Sequence, residues 1–212
     1  MASEWHEYLK MFFGLVVILN PMLAVPVFIS LTDNQSLRER LSCARRSAFA
    51  VGIVLSVAAL IGQQLLNLFG ISIDSFRVGG GLLILLMAVS MMHAKISATQ
   101  HTEKEIEEAQ AKADVAVVPL AIPLLAGPGA ISTAIIYAHR ETAFVHAALI
   151  GEIWLAALLV WITLRSALPI SRALGTTGIN IATRLMGLIL SAIAVEFIVN
   201  GLKGMLPALA GA

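Results

Sequence analysis

Apolar residues fall in six blocks separated by short charged stretches: about Met11–Thr32, Ser47–Phe69, Val78–His93, Val115–Tyr137, His146–Leu164 and Leu185–Leu202. A helix crossing a bilayer needs roughly 20 apolar residues, so each block is predicted to be a transmembrane helix. The third, at about 16 residues, is short and needs help from its flanks or from local thinning of the bilayer. The N-terminus has no basic region of the kind that precedes a signal-peptide core, since Glu4 and Glu7 accompany Lys10. The block that follows is also too long for such a core and contains Pro21 and Pro26.

The charged stretches set the expected orientation. Ten of the fourteen basic residues fall in three alternate connections: Arg38, Arg40, Arg45 and Arg46; Lys95, Lys104 and Lys112; Arg165, Arg172 and Arg184. Basic connections stay cytoplasmic, so both termini are expected outside, in the periplasm of a Gram-negative cell. Only 13% of the residues are charged, about half the share of a soluble domain. With a mean hydropathy of +0.89 and a net charge of +1, this excludes a cytosolic enzyme and a nucleic-acid binder. A lone Cys43 excludes an intrachain disulfide framework and a cysteine-based zinc site. Six spans in 212 residues leave no room for a nucleotide-binding domain.

The longest polar stretch, residues 95–114, reads as a solvated cytoplasmic linker. It separates two halves, 8–94 and 115–205, which echo one another. Pro21-Met22-Leu23-Ala24-Val25-Pro26 matches Pro123-Leu124-Leu125-Ala126-Gly127-Pro128 at an offset of 102. Gly70-Ile71-Ser72-Ile73 echoes Gly178-Ile179-Asn180-Ile181, and Gly81-Leu82-Leu83-Ile84 echoes Gly187-Leu188-Ile189-Leu190 at an offset of 106. Three spans per half put the halves in opposite orientations. The predicted fold is therefore an all-α membrane domain of six helices built as two inverted three-helix repeats, an architecture of secondary transporters.

Paired prolines are expected to break spans one and four, because proline lacks the N–H and clashes with the preceding turn. Non-helical backbone at that depth must be buried in protein or line a wet cavity. The half-helix N-terminus that follows a break suits a carboxylate, and the carbonyls that precede it suit an ammonium or Na⁺. Two such breaks meeting at the midplane suit a small zwitterion. Asn20, Pro21, Pro26, Gly127, Pro128, Gly129, Ser132 and Thr133 are the candidate substrate-binding residues on this reasoning. The structural alternative is a pair of kinks satisfied by neighbouring helices.

Two carboxylates, Glu152 and Glu196, fall inside spans. Glu196 is the deeper, about 12 residues into the sixth, and is a candidate for ion coupling; its alternative is a packed, protonated group. Asp74 and Arg77, at the outer entrance of the third span, form either a helix-start ion pair or a gate. Gly79-Gly80-Gly81 permits close packing or unwinding. The five histidines lack metal-ligand spacing, and no metal or cofactor is expected. Neither a metal motif nor an activated nucleophile is present, so the chain is not expected to be an enzyme.

Four segments carry a family resemblance: Asn20–Phe28, Phe69–Gly81, Pro119–Thr133 and Gly178–Leu190. They resemble the MarC family of small bacterial membrane proteins over about residues 10–204. The resemblance implies a six-span inner-membrane protein that transports small neutral amino acids such as glycine and alanine, coupled to protons or Na⁺. Many members carry Gln where this chain has Glu196. The other class weighed is a non-catalytic structural or regulatory membrane subunit.

Overall fold

The computed structural model describes residues 2–93, 115–139 and 143–206, so the stretch read as a linker, 95–114, lies outside it. The described residues form α1 (Ala2–Leu19), α2 (Pro21–Leu31), α3 (Leu37–Leu68), α4 (Ile73–Met92), α5 (Ala116–Leu125), α6 (Pro128–Ala138), α7 (Ala143–Arg165) and α8 (Ala167–Met205). Five stretches are long and apolar enough to cross a bilayer: Tyr8–Leu31, α3, α4, His146–Arg165 and α8. Counted together as one span, α5 and α6, an irregular pair bent by 65°, make a sixth.

Local chemistry sets the helix ends. Ser36 and Glu39 form a reciprocal cap at the start of α3, with the Ser36 N–H donating to Glu39 Oε2 at 2.8 Å. At the other end of α3 the Ile71 N–H reaches back to the Leu66 carbonyl at 2.9 Å. That turn needs a left-handed residue after the helix, and Gly70 supplies it with φ 66°. Ser72 then caps α4, its Oγ accepting from the Ser75 N–H at 3.1 Å. This cap starts the helix at Ile73, so the third span has 20 residues and not the 16 or so of its apolar block.

The second half departs from the expected boundaries. Its last helix begins at Ala167, well before the block Leu185–Leu202, and kinks at Gly175, where φ is 61°. The left-handed glycine ahead of the long helical segment is thus Gly175, while Gly178–Ile181 lies inside the helix. Arg172 and Arg184 are helical residues of α8 as well.

Helices in lipid associate through close packing and not through hydrophobic exclusion. The first span is the central one: 61% of its apolar window is buried, against 28% for α8. Phe28, Leu15, Ile18 and Leu19 are all but inaccessible. The peripheral helices bury small residues and turn large ones outward. Phe49, Ile53, Val57, Leu60, Leu65 and Leu68 mark the outer stripe of α3, each at least 43% exposed. A stripe of that size on a soluble monomer would be an interaction surface; here it is the face that lipid covers. The Asp74 carboxylate packs on Gly204, and Lys10 reaches Glu196. The start of α1, the α3–α4 turn and the end of α8 therefore share one end of the bundle, as an even number of crossings requires.

Candidate functional site

Two interruptions lie at the centre of the bundle. In the first span, the Asn20 N–H donates to the Val16 carbonyl at 3.0 Å and ends α1. Pro21 has no N–H to continue the ladder. Asn20 itself is left-handed, with φ 38° and ψ 65°, a conformation that asparagine tolerates better than most residues. Its side chain is buried. Nδ2 points at Met91 Sδ, 3.7 Å away, and Oδ1 has no partner among the described residues.

Pro26 does not contribute to a break. It sits exposed within α2, which continues through it, so the first span departs from helix only before Pro21 and runs on as one stretch to Leu31. In the fourth span the prolines do more. Val118 and Ile122 are extended, each ahead of a proline, because the proline ring pushes the preceding residue out of the α region. Gly127, ahead of Pro128, is likewise extended at φ −75° and ψ 179°. Any residue adopts that backbone, so Gly127 is not required there for a positive φ. Gly129 answers to packing: a Cβ there would lie 2.9 Å from Met87 Sδ and 3.2 Å from Ile84 Cγ1.

Met87 and Met91 are one turn apart on α4 and fully buried. Met91 covers Asn20 and Met87 covers Gly129, so one face of α4 seals both interruptions. Ser132 is buried against Gly80 of the same helix, where an added Cβ would lie 2.9 Å from Ser132 Cβ. The Thr133 hydroxyl donates to the Gly129 carbonyl at 2.8 Å, within its own helix. Asn20, Gly127, Gly129, Ser132 and Thr133 thus lie in closed, solvent-free packing, with Pro21 and Pro128 part-buried as the first residues of α2 and α6.

The open space lies elsewhere. A cavity of about 570 Å³ opens at the end that holds the start of α1 and the end of α8. Its walls come from α1, α4, α6 and α8. Lys10, Arg77 and Glu196 bring charge to it, Tyr137, His139 and Asn200 bring further polar groups, and Val17 and Ile189 line its apolar depth. From Lys10 to Val17 the wall spans two turns, about 10 Å of helical rise, and Asn20 lies roughly 4.5 Å beyond. The cavity therefore stops about one turn above the first interruption.

Lys10 and Glu196 are bonded across the mouth, with 65% and 44% of their side chains exposed. Arg77 Nη1 lies 3.2 Å from Asp74 Oδ1. The pair at the entrance of α4 is therefore formed, and Asp74 in turn packs on Gly204 of α8. Arg77 is held in the cavity wall, and Asp74 holds it without lining the cavity. The Tyr137 ring meets Phe197 edge-on at 5.9 Å, and its hydroxyl fills the space beside Gly14, where a Cβ would lie 2.6 Å away. His139 Nδ1 is 2.7 Å from Gln63 Oε1. Glu152 is part-buried on α7, away from this cavity. Among the described residues, no three of the His, Cys, Asp and Glu side chains gather as a metal site.

The expected site residues thus divide into two layers. Glu196 and Arg77 line the cavity, Asp74 stands behind Arg77, and the interruption residues other than Pro26 lie closed beneath it. Lys10, Tyr137, His139 and Asn200 belong to the upper layer and were not singled out from the sequence. One signal pointed to Lys10: it is a cation at the head of an apolar block on the side poor in basic residues.

Residues 5–206 match the family described as MarC family integral membrane protein. The chain is 41% identical over 209 residues to the UPF0056 membrane protein YhcE of Escherichia coli, covering 97% of this chain and 96% of the relative. It is 40% identical over 206 residues to a UPF0056 membrane protein of the archaeon Methanocaldococcus jannaschii, covering 94% and 97%. A Buchnera aphidicola UPF0056 membrane protein is 39% identical over 203 residues, covering 95% and 94%. No solved structure matches the chain.

Proposed function

The chain belongs to the MarC family of integral membrane proteins, and from that premise we propose that it is a secondary transporter of small neutral amino acids, of the glycine and alanine class. It works by alternating access across the bacterial inner membrane, with proton or Na⁺ coupling. The observation that carries this reading is the cavity that sets Lys10, Arg77 and Glu196 around an apolar depth and stops above the closed interruptions. A volume of about 570 Å³ lies in the usual range of small-molecule sites, roughly 300–1,000 Å³. Its charges are of both signs and sit close together, which suits a zwitterion with a short side chain. The Lys10–Glu196 pair is well exposed, so opening it costs on the order of 1 kcal/mol or less. Its two ends are then free for the carboxylate and ammonium of a substrate. The interruptions one turn deeper, with Asn20 Oδ1 unpartnered, supply the next layer of polar groups once Met87 and Met91 move aside.

Packing between the halves supports an inverted repeat. Gly81 of α4 sits against the Ala194 carbonyl and Ile198 N–H of α8, where an added Cβ would be 3.0 and 3.1 Å from the two backbone atoms. Gly187 of α8 sits against the Ala88 carbonyl and Met92 N–H of α4, at 3.0 and 3.2 Å. Shifting each residue of the first contact by 106 positions, in opposite senses for the two helices, generates the second. A two-fold axis between α4 and α8 accounts for such a reciprocal contact. It is also the relation that lets one half rock against the other around a fixed site. The halves are not equivalent at the interruptions, where α2 runs through Pro26 and its counterpart Pro128 begins a new helix.

In this reading the protein is not an enzyme: the Thr133 hydroxyl is engaged with its own helix, donating to the Gly129 carbonyl. Flux of radiolabelled glycine and alanine into proteoliposomes, driven by a proton or Na⁺ gradient, tests the proposal. Saturable uptake competed by the unlabelled amino acid supports it. Absence of flux for every small neutral amino acid, with correctly inserted protein, overturns it in favour of a structural or regulatory subunit.

A further inference from the structure

At the opposite end of the bundle, α3 and α7 build a feature that transport does not use. Arg38, Leu41, Ser42 and Arg45 lie at positions i, i+3, i+4 and i+7 of α3, on one face. With Trp161 and Arg165 of α7 they line a cavity of about 500 Å³. Arg165 stacks on the Trp161 ring with its guanidinium carbon 5.2 Å from the centroid. Among the described residues no carboxylate bonds Arg38, Arg45 or Arg165; the nearby Glu39 is bonded to Ser36. Three guanidinium groups around a hydroxyl, with no carboxylate bonded to them among the described residues, form a receptor for a phosphate.

A second cavity of about 500 Å³ begins where the first ends, and Arg45 lines both. It is a groove headed by Arg45 and Arg46, with Phe49, Ala50 and Ile53 continuing along α3 and Val117 of α5 on its other wall. From Arg45 to Ile53 it descends about 12 Å along the outer stripe that faces the bilayer. Phe49 and Ile53 are 57% and 43% exposed. A basic pocket at the interface joined to an apolar groove running into the hydrocarbon has the shape and charge of one kind of ligand. A soluble phosphate would leave the groove empty, and a zwitterionic lipid would bring a choline or ethanolamine cation into an arginine cluster.

We infer that the pocket between α3 and α7 binds an anionic phospholipid, its phosphate held by Arg38, Arg45 and Arg165 and one acyl chain laid along Phe49 and Ile53. Trp161 marks the interface level, where aromatic rings of its kind concentrate. Basic pockets between transmembrane helices take acidic headgroups in this way. The assignment is independent of what the cavity at the other end transports.

The test uses the full-length protein in phosphatidylcholine nanodiscs and reads tryptophan quenching by lipids with brominated acyl chains. Trp161 lines the pocket, and the Trp154 ring lies 5.3 Å from that of Phe49. Brominated phosphatidylglycerol should quench at lower mole fraction than brominated phosphatidylcholine. Each arginine near the surface is worth about fivefold in affinity. Arg45→Gln should therefore weaken the preference about fivefold, and the triple change Arg38→Gln, Arg45→Gln, Arg165→Gln about a hundredfold. Should the triple variant aggregate, Arg38→Gln and Arg165→Gln, both at exposed positions, are read singly. Equal quenching by the two lipids, or a preference untouched by these variants, overturns the inference. So does displacement of brominated phosphatidylglycerol by millimolar glycerol 3-phosphate as effectively as by unlabelled lipid, since that would make the site one for a soluble phosphate.

Discussion

The run Gly79-Gly80-Gly81 offers a sharp test of the packing between α4 and α8. All three glycines are helical, so replacing any one by alanine gains about 1 kcal/mol of helix propensity. What the new methyl group meets differs entirely. At Gly79 nothing lies within 4 Å of the added Cβ, and the full gain of about 1 kcal/mol should appear as stability. At Gly81 the Cβ would lie 2.8 Å from Ile198 Cγ1, 3.0 Å from the Ala194 carbonyl oxygen and 3.1 Å from the Ile198 nitrogen. Two of these atoms are backbone, so relief requires α8 to move, and overpacking of that kind costs about 1–3 kcal/mol. Gly81→Ala should therefore be neutral to about 2 kcal/mol destabilised. The two variants, two residues apart, should differ by about 1–3 kcal/mol, a factor of roughly 5 to 150 in the unfolding equilibrium. Reversible unfolding in mixed micelles, titrated with a denaturing detergent, measures the difference. Gly187→Ala, which meets the reciprocal contact on α4, should share the sign of Gly81→Ala. Equal stability of Gly79→Ala and Gly81→Ala, or a destabilised Gly79→Ala, would refute the close approach of the two helices.

Reporter fusions near Asp74 and at the C-terminus should report the periplasm, and fusions near Ser42 the cytoplasm; a cytoplasmic C-terminus would reverse the proposed orientation. Glu196→Gln should fold normally, because the pair with Lys10 is exposed, yet flatten the pH dependence of uptake; an unchanged pH profile in proteoliposomes would leave Glu196 with no part in coupling. Asn20→Gly keeps the left-handed backbone while deleting the amide. Calorimetry should show glycine or alanine binding weakened about tenfold to a hundredfold, the worth of a hydrogen bond to a charged group, and unchanged affinity would place the substrate elsewhere. Glu39 stands two turns ahead of the apolar part of α3, and its hydrogen bonds to the Ser36 side chain and backbone hold its pKa below the usual 4.5. The stabilisation from this cap is present above the unfolded pKa near 4.5 and fades as pH falls through the lower folded value. Ser36→Ala should therefore destabilise at neutral pH, with the gap to the parent narrowing below pH 4.5 in the same detergent titration.

The all-helical class and the five or six apolar stretches were legible in the chain because a bilayer imposes one requirement, a run of about 20 apolar residues, which the sequence reveals directly. The left-handed turn at Gly70, the caps at Ser36 and Ser72 and the departures ahead of Pro21 and Pro123 follow from neighbouring residues, and their signals are local. The proposed repeat rests on matched segments along the chain, and the reciprocal packing of Gly81 and Gly187 supports it. Burial at the breaks was not, because proline marks where backbone leaves the helix without saying whether water or a side chain fills the gap. Only tertiary packing decided that Met87 and Met91 close both interruptions and that Pro26 stays inside a helix. The same holds for the charged cavity. Lys10 and Glu196 stand 186 positions apart, and nothing along the chain signals that pairing. Their meeting depends on how α1 crosses α8, which is set by small residues and shape across the whole bundle, and distant shape is the information that a one-dimensional pattern does not carry.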